Sequence, residues 1–299
     1  MKNLVGVICL LIPTGSCSTH RGENVNLAAS HMSVVAFGDW GDLTEELALS
    51  MNRFHEVFVP RSDAVFLLGD NFYPHGIDSK LGVRDPKFRL FRDIVARDAV
   101  CPFYVILGNH DRDGNVDAQV AYSAVHPKWN MPAFYYFQSF TLETGARICT
   151  WFLDTTLAGE AQAHWFNSSI SHHKASCRWL LVSGHHPVFT AGEYHSSKRM
   201  QEWILSILEE HDVDIYMSGH EHQSQVLQKP GRHTTYLVSG AVADMRHKPL
   251  HKHKFLKFGD QKSPALLSLV ITDEFIGYTF HNTAKSVAHE PMFHHMIRK

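Results

Sequence analysis

Five apolar runs in this sequence end the same way, in glycine followed by Asp, Asn or His. Residues 34–37 precede Gly38-Asp39, 64–68 precede Gly69-Asp70, and 103–107 precede Gly108-Asn109-His110. Residues 180–183 precede Gly184-His185, and 215–218 precede Gly219-His220-Glu221-His222. Short runs rich in Val, Ile, Leu and Phe and bounded by glycine read as buried strands. In an α/β sheet the carboxyl ends of strands are where ligands and chemistry collect. Glycine lets the chain turn there and keeps side-chain bulk away from that edge. Five such endings, all carrying hard or borderline donors, describe a metal site.

Helical stretches lie between these strands. Leu43, Leu47, Met51, Phe54 and Phe58 share one helical face, as do Met200, Trp203, Ile204, Ile207 and Leu208. Phe88, Phe91, Ile94 and Val95 repeat the pattern more briefly. After His222 strands follow one another directly, at 235–238, 266–271 and 275–280. Alternation followed by consecutive strands implies an α/β chain with two packed mixed sheets and helices outside. No linker or repeat separates Asp39 from His222, which predicts a single domain over residues 30–299 with one shared site.

A formal charge of −2 without a basic block argues against nucleic-acid binding. Most of the 23 histidines are expected on solvated surface, including His172, His173, His251, His253, His294 and His295. At the N-terminus, Lys2, the apolar residues 4–12, Pro13 and small residues to Ser18 read as a signal peptide over 1–18. That run is too short to span a bilayer, Thr14 disfavours lipidation of Cys17, and no C-terminal stretch reaches transmembrane length. An exported chain, secreted or lumenal in the secretory and endolysosomal pathway, is therefore expected. Its remaining cysteines, Cys101, Cys149 and Cys177, allow at most one disulfide. Cys101 and Cys149 flank predicted core strands and are expected as buried thiols. Asn167-Ser168-Ser169 is a glycosylation sequon.

Phosphate-ester hydrolysis is among the slowest uncatalysed reactions. Two metal ions about 3.5–4 Å apart clamp the phosphate, neutralise its charge and activate water. Such a pair needs a bridging carboxylate and further donors for each ion. Asp39, Asp70, Asn109, His185, His220 and His222 supply that inventory, and in extended chain His220 and His222 point the same way.

The sequence resembles the calcineurin-like metallophosphoesterases. The motifs are Asp39-Trp40-Gly41, Gly69-Asp70, Gly108-Asn109-His110-Asp111, Gly184-His185 and Gly219-His220-Glu221-His222. That likeness implies a four-layer αββα sandwich. Most members carry a histidine two residues after the first Asp, where this chain has Gly41, and Gly69-Asp70-Asn71-Phe72-Tyr73 places a tyrosine three residues after the second Asp. This combination is similar to the purple acid phosphatases, closest to the small tartrate-resistant type, in which tyrosinate serves ferric iron. Phenolate is a hard anionic donor suited to a trivalent ion.

The resemblance implies that Asp39, Tyr73 and His222 hold Fe(III), that Asp70 bridges, and that Asn109, His185 and His220 hold Fe(II), Zn or Mn. It implies that His110 bonds the substrate phosphate or its leaving oxygen, with Asp111 orienting the ring. Trp40 and Phe72 read as packing, Glu221 as a non-ligand, and Asp154 as a structural hydrogen-bonding residue. The family's mobile loop is shortened here to about 157–163, and its flanking cysteine pair is missing, with Ala158 at one matching position. Where the family has Glu-His, this chain reads Gly192-Glu193-Tyr194-His195. A one-residue shift in extended chain reverses side-chain direction, which places Glu193 or Tyr194 at the site and turns His195 away. The function implied is an exported acid phosphatase acting on phosphate monoesters. The alternatives are a non-catalytic scaffold like the glideosome-associated proteins, and a phosphodiesterase or nucleotide pyrophosphatase. The former have lost metal ligands and carry a C-terminal anchor, whereas this chain keeps the donors and ends in Met296-Ile297-Arg298-Lys299.

Overall fold

The apolar runs pair into two mixed β-sheets. The computed structural model describes residues 24–245, 248–284 and 291–299. The expected leader over 1–18, with Cys17, lies outside the described residues.

One sheet has eight strands, in spatial order β1 (Asn24–Asn26), β6 (Tyr136–Thr141), β7 (Arg147–Leu153), β8 (Trp179–Gly184), β9 (Ile215–Ser218), β11 (Thr235–Ser239), β10 (Ser224–Gln228) and β12 (Leu256–Asp260). The other has seven: β15 (Phe293–Arg298), β14 (Phe275–Asn282), β13 (Ala265–Ile271), β2 (Met32–Phe37), β3 (Ala64–Leu67), β4 (Phe103–Val105) and β5 (Trp129–Asn130). Strands β2 to β5 run parallel, as do β7, β8, β9 and β11, and β1 pairs parallel with β6, while the other flanking pairs are antiparallel. Every residue of β3, β8 and β9 is buried, which is why they read as continuous apolar runs rather than alternating ones.

Aromatic rings mark the layers. Between the sheets, Phe66 of β3 packs on Phe140 and Phe152, with centroids 6.4 and 5.0 Å apart. Phe37 meets the helical Phe54 on one outer face at 5.9 Å. On the other, Trp151 meets Phe166 of α4 (Glu160–His173) at 6.2 Å. The order is thus helix, sheet, sheet, helix, as expected from the sequence. Among the described residues no helix is long and apolar enough to cross a membrane.

The first helical face needs one correction. Thr44 caps α1 (Glu45–Arg53), accepting from the Leu47 amide at 3.1 Å, with Glu45 and Glu46 complementing the dipole. Leu43 therefore precedes the helix and is 64% exposed. Leu47, Met51 and Phe54 are buried, but the chain continues as a π-helical turn, Phe54–Phe58, that leaves Phe58 half-buried. The second face falls on a continuous helical stretch, α5 (Lys198–Met200), a π-turn (Gln201–Leu205) and α6 (Ser206–Glu210). Between them, α2 (Asn109–Arg112) and α3 (Val116–Tyr122) follow β4.

Cys149 is not a free thiol. It is disulfide-bonded to Cys177, 28 residues on, with Cα atoms 5.8 Å apart, while Cys101 stays buried and reduced. Cys177 follows α4 in a segment without strand periodicity, so only the return of the chain to β8 brings the pair together. His173 is likewise not simply solvated: it is half-buried and stacks on Phe137 at 4.2 Å. Asn167 of the sequon lies within α4, hydrogen-bonded through Oδ1 to His211 Nε2 at 2.7 Å.

Candidate metal centre

The parallel strands of both sheets deliver their C-terminal ends to one rim. Three of the residues that follow them hold left-handed backbone: Asp39 (φ 58°), Asp70 (φ 51°) and His220 (φ 68°). Such non-glycine conformations are costly, and they persist where surrounding bonds over-determine them. Here the Asp39 amide donates to Gly69 O at 3.0 Å, and the His220 amide donates to Asp39 Oδ2 at 2.8 Å. The His110 amide donates to Asp70 Oδ1 at 2.9 Å. One oxygen of each carboxylate is thereby fixed by backbone, and the other faces the centre.

The facing atoms form two adjoining groups. Tyr73 Oη lies 3.3 Å from Asp39 Oδ1, 3.0 Å from Asp70 Oδ2 and 3.4 Å from His222 Nε2. Asn109 Oδ1 lies 3.2 Å from His185 Nε2 and 3.0 Å from His220 Nδ1. Asp70 Oδ2 joins the groups, because it is also 3.4 Å from His185 Nε2. Donors held about 2.0–2.2 Å from one ion are separated by about 3.0–3.6 Å, and these spacings match. Asp39, Asp70 and His185 each offer a ligand atom within 4.8 Å of the others.

Hydrogen bonding at the far ring nitrogens fits the same use. His185 Nδ1 bonds Leu68 O at 2.8 Å and His222 Nδ1 bonds Asp244 O at 2.9 Å. A carbonyl only accepts, so Nδ1 carries a proton and Nε2 is the ring atom turned toward the centre, free to offer a lone pair to a cation there. Lone pairs of nitrogen, amide oxygen and two buried carboxylates then converge, which is the chemistry of a cation site.

The electrostatics show the same strain. Burial, together with the neighbouring Asp70, pushes the Asp39 carboxyl well above its ordinary range. Asp70 is held well below its range despite burial, by His185 and the His110 amide. Burial opposes charge on His185, but Asp70, Asp39 and the Leu68 carbonyl raise the ring to about 9. His220 is driven well below the usual imidazole range, first by burial and then by His185. Two carboxylates at 0 and 2% exposure draw positive charge from whatever group can carry it.

Gly41 leaves no room for a side chain of its own beside the centre. A Cβ at this position would come within 2.5 Å of the Asn71 carbonyl carbon and the Phe72 nitrogen, so backbone occupies the space a side chain would need. The same close passage, with the Gly41 amide donating to Asp70 O and the Tyr73 amide to Gly41 O at 3.1 Å each, sets Tyr73 beside Asp70. Gly41→Ala is expected to cost about 1–3 kcal/mol by overpacking. Thermal unfolding checks this, and an unchanged Tm would contradict the close approach. Trp40 and Phe72 are both buried, and the Trp40 indole donates to Asn71 Oδ1 at 3.0 Å.

Around the donors the outer residues divide. His110 stands on the rim, its ring 4.4 Å from that of Tyr73, and its Nδ1 bonds Pro74 O at 2.7 Å. The expectation that Asp111 orients this ring is corrected. Asp111 is fully buried and accepts from the Gly108 and Asn71 amides, from the Asn71 side chain and from Gln119. It fastens the Asp70 loop to α2, and burial together with Asp70 pushes its carboxyl up to about 6.

Tyr194 stacks on His220 with ring centroids 4.4 Å apart, whereas His195 (φ 56°) turns to His251, also at 4.4 Å. Glu193 reaches Lys248 at 3.3 Å, so its carboxylate is drawn away from the donors. Glu221 organises this loop, accepting from the Glu193 amide (3.0 Å), the Tyr194 amide (3.1 Å) and Thr190 Oγ1 (3.1 Å). His186 stands beside His185, with no spacing in the sequence to mark it as part of the site. Its ring lies 4.5 Å from that of His220, and burial followed by His185 pushes it down to about 3.

The chain has relatives among known proteins. Residues 32–224 match the calcineurin-like phosphoesterase family. The chain is 28% identical over 282 residues to tartrate-resistant acid phosphatase type 5 of Rattus norvegicus, covering 84% of this chain and 82% of the relative. It is 31% identical over 240 residues to purple acid phosphatase 7 of Arabidopsis thaliana, covering 70% and 69%. Among solved structures it is similar to GAP50, the anchor in the inner membrane complex of Plasmodium, with a TM-score of 0.80. Identity there is 22% and coverage 90% and 89%, a likeness of fold.

Proposed function

The chain belongs to the calcineurin-like phosphoesterase family and is purple acid phosphatase-like within it, and from that premise we propose that it is an exported acid phosphatase acting on phosphate monoesters. The observation that carries this reading is the Tyr73 hydroxyl, within 3.4 Å of Asp39, Asp70 and His222, opposite a Gly41 that leaves no room for imidazole. Asp39, Tyr73 and His222 would hold Fe(III), Asn109, His185 and His220 a divalent Fe, Zn or Mn, and Asp70 both. Bound there, the two ions supply charge neutralisation of the phosphate and a lowered pKa for water, below the value of about 7 reached on zinc alone.

The chain's own groups do the rest. His110, anchored through Nδ1 to Pro74 O, has Nε2 left for the leaving oxygen, and a protonated ring can donate there. Tyr194 covers His220 and closes one wall. The Cys149–Cys177 disulfide supports residence in an oxidising compartment, in line with the leader-like residues 1–18. A scaffold role, suggested by the fold shared with GAP50, gives no reason for the converging donors.

Assay of the purified protein with p-nitrophenyl phosphate and bis(p-nitrophenyl) phosphate, from acidic to neutral pH, tests the reading. A monoester preference with an acidic optimum is expected, and a diester preference would overturn it. His110→Ala should lower kcat/KM for alkyl phosphates by about 10²–10⁴-fold and for aryl phosphates by clearly less. Equal losses on both would contradict proton donation by His110.

A further inference from the structure

A cleft of about 360 Å³ opens on the side of the centre formed by Asn109, His185 and His220. Asn109 itself is one wall, and Arg112, Thr155, Thr156, Ser197 and Arg199 form others. Arg112 lies one helical turn beyond Asn109 on α2, so the two side chains are neighbours. Its guanidinium is fixed by an ion pair with the buried Asp154 and by donating from Nε to Thr156 Oγ1 at 3.0 Å. Arg199 begins the opposite wall in the first turn of α5, which Ser197 caps. It donates to the Ala158 carbonyl at 3.4 Å, and among the described residues it is paired with no carboxylate.

The pairing of charges decides what such a cleft favours. The charge of Asp154 is met by Arg112. Asp113, the acidic residue on the wall, is exposed and lies 3.6 Å from His75 Nδ1. Arg199, exposed and without a carboxylate partner among the described residues, faces a space that begins at a candidate metal donor. A guanidinium fork matches carboxylate and phosphate, and the flanking hydroxyls can share in the binding. Asn109 belongs both to the donors and to this cleft and directly precedes His110, so the far end of a leaving group held at His110 can extend past Asn109 into this space.

We propose that the cleft is a leaving-group subsite, in which Arg199, across from the fixed Arg112, selects phosphate esters whose leaving group carries its own carboxylate or phosphate. The selection rests on the phosphatase reading above. Its measure is the ratio of kcat/KM for 3-carboxyphenyl phosphate to that for phenyl phosphate, two esters alike in the reacting bond and different in charge. Pyrophosphate serves as a third substrate to tell phosphate from carboxylate.

The wild-type ratio is expected to be about tenfold, the scale of one charge-assisted hydrogen bond. Arg199→Ala should bring it near one, and Arg199→Lys should restore part of it. Lys198→Ala, at an exposed residue paired with Glu202 outside the cleft, should keep the ratio. A wild-type ratio near one, or an Arg199→Ala variant that loses both esters equally, overturns the subsite. If the wild type hydrolyses neither ester, the phosphatase reading fails instead. Calorimetry with 3-carboxyphenylphosphonate and phenylphosphonate then decides the subsite: tighter binding of the charged ligand, lost in Arg199→Ala, supports it, and equal binding overturns it.

Discussion

Asn109→Ala is expected to lower phosphatase turnover by about 10³-fold or more and to halve the bound metal, with the fold intact. The loss follows from position: Asn109 Oδ1 is the atom that lies between His185 Nε2 and His220 Nδ1, at 3.2 and 3.0 Å. Alanine removes that oxygen and leaves one side of the centre with two imidazoles and a shared carboxylate. An ion held there would supply several kcal/mol of transition-state stabilisation, and each 1.36 kcal/mol is tenfold in rate. His220→Ala should act alike. Metal analysis beside the assay checks both, and full activity at unchanged metal content would refute a two-ion centre.

If Tyr73 serves Fe(III) as proposed, Tyr73→Phe is expected to abolish the visible absorption of the wild-type centre. Phenolate bound to Fe(III) absorbs visible light by charge transfer, and phenylalanine has no oxygen to bind. The substitution keeps the ring that packs 4.4 Å from that of His110, so circular dichroism and Tm should change little. Loss of Tyr73 Oη leaves Asp39, Asp70 and His222 on that side, a set suited to divalent ions as much as to iron. A Tyr73→Phe protein that keeps both its iron and its colour would contradict the assignment.

What could be read from the sequence follows from how local each signal is. The strands ending at Asp39, Asp70 and Asn109 were legible because burial on both faces leaves an unbroken apolar run, and the glycines mark where it stops. The nearness of Tyr73 to Asp70 was legible because their spacing lies within one loop. Leu43 was misplaced because helical periodicity does not register that Thr44 caps the helix after it. The role of Asp111 was misread because its partners, Asn71 and Gln119, come from other segments. The Cys149–Cys177 bond and the Arg112–Arg199 cleft are tertiary in the same sense, since no periodicity connects residues that only the packing of α4 and α5 brings close.

The most direct test of the account is the metal content of the purified wild-type protein measured together with its visible spectrum. The account predicts two ions per chain, at least one of them iron, and a pink or purple colour lost in Tyr73→Phe. A colourless protein carrying its full complement of iron would contradict it.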